Sequence, residues 1–168
     1  RYYLVETRTI EGFVLDPTPI QAELAYADQY TEVVYAGADM YNDRQRVEIT
    51  VTKKDAEDGR PLEGAVIGLY AAEDIRNQDG AVVVAADTEI ERVVTGKDGT
   101  AEFVSDLPLG KYYLKELAAP AGYVKSEEAI DIDATYQGQD VDVIELTAVF
   151  ENKPILVQFS KTDITGET

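Results

Sequence analysis

Lys111-Tyr112-Tyr113-Leu114-Lys115-Glu116 alternates along an extended strand, with Tyr112, Leu114 and Glu116 on one face and the lysines with Tyr113 on the other. The same block opens the chain 110 residues earlier as Arg1-Tyr2-Tyr3-Leu4-Val5-Glu6. The register continues without a gap through Gly12/Gly122, Ile20/Ile130, Tyr26/Tyr136, Gln29/Gln139 and Val33/Val143 to Asn42/Asn152, with twelve identities in positions 2 to 42. A second correspondence sets Lys53-Lys54-Asp55 against Lys161-Thr162-Asp163 at an offset of 108. These matches predict a tandem repeat near 110 residues long. Residues 1–46 are expected to be the C-terminal part of one unit, 47–155 a complete unit, and 156–168 the first strand of a following one.

Within the complete unit the pattern is that of strands. Val47–Thr52, Ala101–Val104, Ala129–Asp133 and Val143–Ala148 alternate with period two and are rich in β-branched residues. Asp58-Gly59, Asp79-Gly80, Asp98-Gly99, Pro108-Leu109-Gly110 and Ala121-Gly122 separate them with turn chemistry. Short strands punctuated in this way predict an all-β sandwich of two sheets. Residues 71–75 are the one stretch that reads as a short helical turn. The segment from about 71 to 95 is expected to be an insert that adds a hairpin.

Composition removes most function classes. Fifteen basic against thirty-three acidic side chains give a formal charge of -18, which repels nucleic-acid phosphates and anionic lipid, so neither is an expected partner. Interspersed as they are, these charges read as a solvated exterior. With no cysteine and no histidine there is no disulfide, thiol nucleophile, imidazole base or zinc site of the usual kinds. No run of about 18 apolar residues is present to cross a bilayer, and any export signal or anchor is expected outside these residues.

Three apolar rows end in polar residues that point the same way. Val47, Ile49 and Val51 lead to Lys53; Tyr112 and Leu114 lead to Glu116; Ile144, Leu146, Ala148 and Phe150 lead to Asn152. The pattern recurs with Tyr2 and Leu4 before Glu6, Ala38 and Met40 before Asn42, and Val157 and Phe159 before Lys161. Lys54 is the rival amine, but its parity turns it outward with Thr50 and Thr52. Each polar end taken singly is equally consistent with a side chain emerging at the rim into water. Taken together, an amine, a carboxyl and a carboxamide that meet in an apolar core favour uncharged forms. A neutral amine can attack the carboxamide while the acid polarises its carbonyl and carries a proton to the leaving ammonia.

Lys53-Lys54-Asp55 with Gly59-Arg60-Pro61-Leu62-Glu63-Gly64-Ala65, Leu107 to Glu116 with Ala119-Pro120-Ala121-Gly122-Tyr123, and Phe150-Glu151-Asn152-Lys153-Pro154-Ile155 resemble the B-type repeats of the collagen adhesin Cna and the related SpaA-like pilin domains. The resemblance spans the complete unit and implies a prealbumin-like, immunoglobulin-like β-sandwich. It implies an isopeptide triad of Lys53 and Asn152, joined with Glu116 as the catalytic group. Glu6, Asn42 and Lys161 then belong to partial sites of neighbouring repeats. It further implies a structural stalk or pilin-like repeat of a Gram-positive surface protein, extracellular and cell-wall-associated.

No cofactor and no enzymatic turnover are expected beyond this single self-cross-linking event. The expected partners are adjacent repeats, and host or matrix proteins through other regions. The alternative is an adhesive module that binds its ligand with the insert at about 71–95. Asp131 and Asp133, a carboxylate pair of the kind used on glycans, read as a solvated strand edge. Asp98-Gly99 and Asn77-Gln78-Asp79-Gly80 lack the spacing of a calcium loop and read as turns.

Overall fold

The computed structural model describes residues 1–77 and 79–160, and every helix or strand assigned among them is a strand. In chain order these are β1 (Tyr2–Leu4), β2 (Ile20–Ala22), β3 (Arg46–Asp55), β4 (Val66–Ala71), β5 (Ile75–Arg76), β6 (Val82–Val84), β7 (Glu89–Val94), β8 (Thr100–Phe103), β9 (Gly110–Ala118), β10 (Ala129–Ala134) and β11 (Val143–Asn152). Four strands form an antiparallel sheet in the order β10-β9-β4-β7, and three form a second in the order β11-β3-β8. Alternation turns Val47, Ile49 and Val51 of β3 with Ala148 and Phe150 of β11 towards Ile67 and Leu69 of β4 and Tyr112 and Leu114 of β9, which makes one core between the sheets. The fold is an all-β sandwich.

The first and last strands of the sandwich, β3 and β11, are neighbours and run parallel. Their register extends from Arg46 opposite Val143 to Asp55 opposite Asn152. A parallel pair needs a long crossover, and here the whole of β4 to β10 supplies it. The chain therefore enters the unit at one end of this ladder and leaves it at the other.

The expected hairpin is present, with Ile75 opposite Val84 and Arg76 opposite Val82. The helical turn expected at 71–75 does not form. β4 continues to Ala71, and the backbone there is claimed by neighbouring segments: the Ala72 N–H donates to Lys111 O at 2.8 Å and the Ala71 carbonyl accepts the Asp87 N–H at 2.9 Å. The departure from a plain sandwich is also narrower than 71–95, because β7 pairs with β4 inside the main sheet.

Residues 1–46 reproduce part of this architecture at the offset of 110. Tyr2 faces Ala22 and Leu4 faces Ile20, as Tyr112 faces Ile132 and Leu114 faces Ile130. The bridge between Phe13 and Arg44 repeats the one between Tyr123 and Pro154. Residues 33–42, which align with β11, join no sheet. In the complete unit β3 holds β11 straight; residues 33–42 have no strand beside them to supply that ladder. This N-terminal part is fastened to the sandwich by Gln45, whose buried amide donates to Gly138 O at 2.7 Å and Val141 O at 2.8 Å, and by the Leu15 N–H on Gln139 O at 2.8 Å.

The Asp98-Gly99 turn bears directly on β3. Gly99 has φ 75°, its carbonyl accepts the Lys53 N–H at 2.7 Å, and a Cβ there would stand 2.6 Å from Lys53 O. Gly59 has nearly the same φ, 76°, with nothing within 4 Å of its would-be Cβ. Gly59→Ala is expected to cost about 1 kcal/mol, the strain of a left-handed alanine alone. Gly99→Ala is expected to cost at least ~2 kcal/mol, because backbone must also move. Urea denaturation of the two variants checks this, and equal losses would contradict it.

Candidate cross-linking site

β3, β9 and β11 each end their inward row near the same point. Lys53 stands opposite Phe150 in the parallel ladder, so Asn152, two residues further on, leans over the same face, and Glu116 reaches across from the other sheet. Lys53, Glu116 and Asn152 are 0%, 2% and 2% exposed. The Glu116 carboxylate touches both others: Lys53 Nζ lies 3.2 Å from Oε1, and Asn152 Nδ2 donates to Oε2 at 2.7 Å. The Ser126 N–H also donates to Oε2, at 2.6 Å, and Asn152 Nδ2 donates its second hydrogen to the Val124 carbonyl. The Phe150 ring closes the site, 5.5 Å from Nζ.

Hydrogen bonding is satisfied everywhere in this cluster except at three atoms. Lys53 Nζ, Glu116 Oε1 and Asn152 Oδ1 have no hydrogen-bond partner, since Nζ and Oε1 are close but not aligned as donor and acceptor. Among the described residues the only other buried side-chain atom in that condition is Gln45 Oε1. Thr95, equally buried, donates to Leu62 O at 2.8 Å and accepts the Ala65 N–H at 3.0 Å. Unmet groups of this kind cost on the order of 1–3 kcal/mol each, and here they are the atoms of an amine, an acid and an amide. Burial pushes the Lys53 amine below its ordinary pKa, and the attraction of Glu116 only partly offsets it.

The structure thus brings Lys53, Glu116 and Asn152 together and leaves Lys54 half-exposed on the opposite face, bridged to Pro61. The carboxylate meets the amide nitrogen of Asn152, whereas the sequence reading set it on the carbonyl oxygen. Glu6 and Asn42 also meet, with Asn42 Nδ2 2.5 Å from Glu6 Oε2. Lys161 lies outside the described residues. Asp131 and Asp133 are exposed, and Asp98 and Asn77 spend their side chains on the N–H groups of Thr100, Asp79 and Ala81 in turns. The alternation argument missed the Val124 carbonyl and the Ser126 N–H, because backbone groups leave no trace in residue identity. It also missed Asp55, buried beside Asn152, whose carboxylate takes the Tyr123 hydroxyl at 2.7 Å and the Glu57 N–H at 2.8 Å and is held below the ordinary carboxylate pKa by them.

Residues 47–147 match the model of a family described as SpaA, prealbumin-like fold domain. The chain belongs to this family. The strand β11 runs beyond the matched residues, to Asn152. Similar solved structures include the Bacillus anthracis TIE protein, 24% identical with a TM-score of 0.61, the match covering 92% of this chain and 25% of that one. The group B streptococcus pilus 2b backbone protein is 22% identical with a TM-score of 0.50, covering 72% and 47%. The chain therefore spans less than half the length of either, and the likeness is one of fold. No curated protein matches it.

The depressed Lys53 pKa has a consequence where the amine is kept free. In Asn152→Ala the folded state binds the lysine proton less readily than the unfolded chain does, so protonation favours unfolding. The Lys53 contribution is lost at pH values below its folded pKa and gained as pH rises from there towards 10.5. The stability of Asn152→Ala relative to Asn152→Ala/Lys53→Met is therefore expected to increase with pH in that window. Urea denaturation at a series of pH values measures it; a difference that shrinks would mean that the Glu116 attraction prevails.

Proposed function

We propose that this SpaA domain is a load-bearing repeat of a Gram-positive surface stalk, closed by an autocatalytic amide between Lys53 and Asn152. The observation that carries the reading is the Glu116 carboxylate, which holds one oxygen against the amine and the other against the amide nitrogen in a sealed core. Transfer of the ammonium proton to Oε1 leaves a neutral amine, and burial favours that form. Nζ then attacks Asn152 Cγ. A proton moves from Nζ through the carboxyl to Nδ2, the Cγ–Nδ2 bond breaks, and ammonia leaves. Val124 O and Glu116 Oε2 fix the departing nitrogen before the reaction begins. The proton first taken from the ammonium also goes to the departing nitrogen, which leaves in net as ammonium. Glu116 is thus returned to a carboxylate, and the event is a single turnover with no cofactor.

The value of the bond lies in where it sits. Tension that enters at the start of β3 passes along it to Lys53, crosses the amide to Asn152 and leaves, so residues 54–151 carry none of it. By the loop-entropy relation for a cross-link across about 100 residues, the bond adds roughly 4.7 kcal/mol of stability as well. An amide is indifferent to reductants, which suits a cysteine-free chain on a cell surface. Adjacent repeats of the same chain are its partners along the stalk.

Intact-mass measurement tests the chemistry. The folded chain is expected to weigh one ammonia less than its sequence, and Lys53→Ala, Asn152→Ala and Glu116→Ala are expected to show the full mass. A folded wild-type protein of full mass would sink the mechanism.

A further inference from the structure

Two of the contacts at the cross-linking site come from backbone that belongs to no sheet. β9 ends at Ala118 and β10 begins at Ala129. The loop between them supplies both the Val124 carbonyl that holds the Asn152 amide and the Ser126 N–H that holds Glu116. The Val124 side chain is 54% exposed, so the loop meets water on one side and the reacting groups on the other. Its backbone is fastened on the β11 side, by the Val124 N–H on Lys153 O at 2.9 Å and the Ile155 N–H on Gly122 O at 2.8 Å. Those bonds place the loop relative to the amide. The amine rides on β3, and they do not reach it.

One side chain ties the loop to β3. The Tyr123 hydroxyl donates to Asp55 Oδ2 at 2.7 Å and accepts from Arg60 Nη2 at 2.6 Å. Arg60 Nη2 also lies 3.2 Å from Asp55 Oδ2, which closes a triangle. Asp55 is a firm anchor for it. Its carboxylate is buried, its Oδ1 takes the Glu57 N–H at 2.8 Å, and its own N–H donates to Arg60 O at 2.9 Å. Asp55 follows Lys53 on the same inward row and stands opposite Asn152 in the parallel ladder. The Tyr123 to Asp55 hydrogen bond therefore runs from the strand of the amine to the loop that grips the leaving nitrogen. A charge-assisted hydrogen bond fixes direction as well as distance, which apolar packing of a surface loop does not. That matters here because a displacement of about 1 Å at reacting atoms can cost on the order of 100-fold in rate.

We infer that Tyr123 and Asp55 are positioning residues for the cross-link, which hold the 119–128 loop in register with β3 so that Val124 O keeps the Asn152 amide presented to Lys53. The inference rests on the chemistry proposed for Lys53 and Asn152. Phe13 stands at the position of Tyr123 in the preceding repeat, so the assignment is confined to the complete unit.

Unreacted chain made by chemical synthesis is refolded by dilution from urea, and ammonia loss is followed by intact mass. Tyr123→Phe is expected to fold and to lose ammonia at least ~10-fold more slowly than wild type. Tyr113→Phe, which removes a hydroxyl bonded to Asp87 on the outer face of the sheet, should keep the wild-type rate. The limbs of the pH–rate profile belong to the coupled Lys53 and Glu116 pair, with Glu151 as a further charge facing Lys53. In Tyr123→Phe they should stay in place while the height falls, whereas a loosened core would admit water and move the alkaline limb towards the ordinary amine value of 10.5. In Lys53→Met, which has no amine to react, adding Tyr123→Phe should speed hydrogen exchange at the Ser126 N–H relative to the amides of β3 and β11. A wild-type rate, unchanged exchange, a displaced limb or a variant that does not fold each overturns this inference and leaves the proposed function standing. A wild-type chain that never loses ammonia overturns both.

Discussion

A primary amine sealed between two β-sheets is the constraint around which the rest of this molecule is arranged. Lys53 lies at the end of a row of Val47, Ile49 and Val51, with no path to water and with the Phe150 ring against it. An ammonium there requires a well-aligned partner, and Glu116 is near without being aligned. The remaining ways to relieve the site are to give up the proton or to consume the amine. One carboxylate faces the amine with one oxygen and the carboxamide with the other. The three buried polar atoms without partners are a cost that this fold carries.

The parallel pairing of β3 with β11 sets where these three residues sit along the unit. In an antiparallel first-to-last pair, the chain would enter and leave at the same end and a cross-link at that end would leave the sheet outside the load path but also leave the unit with no length along it. Here the ends are opposite, and the reactive residues sit at the exit end of both strands. With the proposed cross-link in place, force is borne by one strand and one amide, over the full length of the sandwich.

Much of this was legible in the sequence, and the parts that were not share a physical cause. Alternation alone turned Lys53, Glu116 and Asn152 inward, since the side-chain period of a strand is fixed and the neighbouring apolar residues declare the buried face. The offset of 110 likewise foretold that Tyr2 and Leu4 would pair as Tyr112 and Leu114 do. What alternation does not carry is adjacency between strands, so the β3–β11 neighbourhood was beyond it. Nor does it carry the roles of backbone groups such as Val124 O and the Ser126 N–H. Residues 71–75 read as a helical turn because local propensity was the only signal there, whereas Lys111 and Asp87, distant in sequence, decide the backbone by hydrogen bonding.

Residues 33–42 show most directly how far local pattern reaches. They share Val33, Ala38 and Asn42 with Val143, Ala148 and Asn152, yet one segment is a ten-residue strand and the other joins no sheet. The difference lies in the neighbour: β11 has β3 to satisfy its backbone, and a strand without a ladder has nothing to offset the entropy of being straight. Meanwhile the Asn42 side chain still finds Glu6 and Val14 O, because those contacts come from β1 and the loop after it, which need no such neighbour. Glu6 and Asn42 thus come together without a counterpart of β3, whereas in the sandwich Lys53 is carried on β3 itself and meets Glu116 and Asn152 through its pairing with β11.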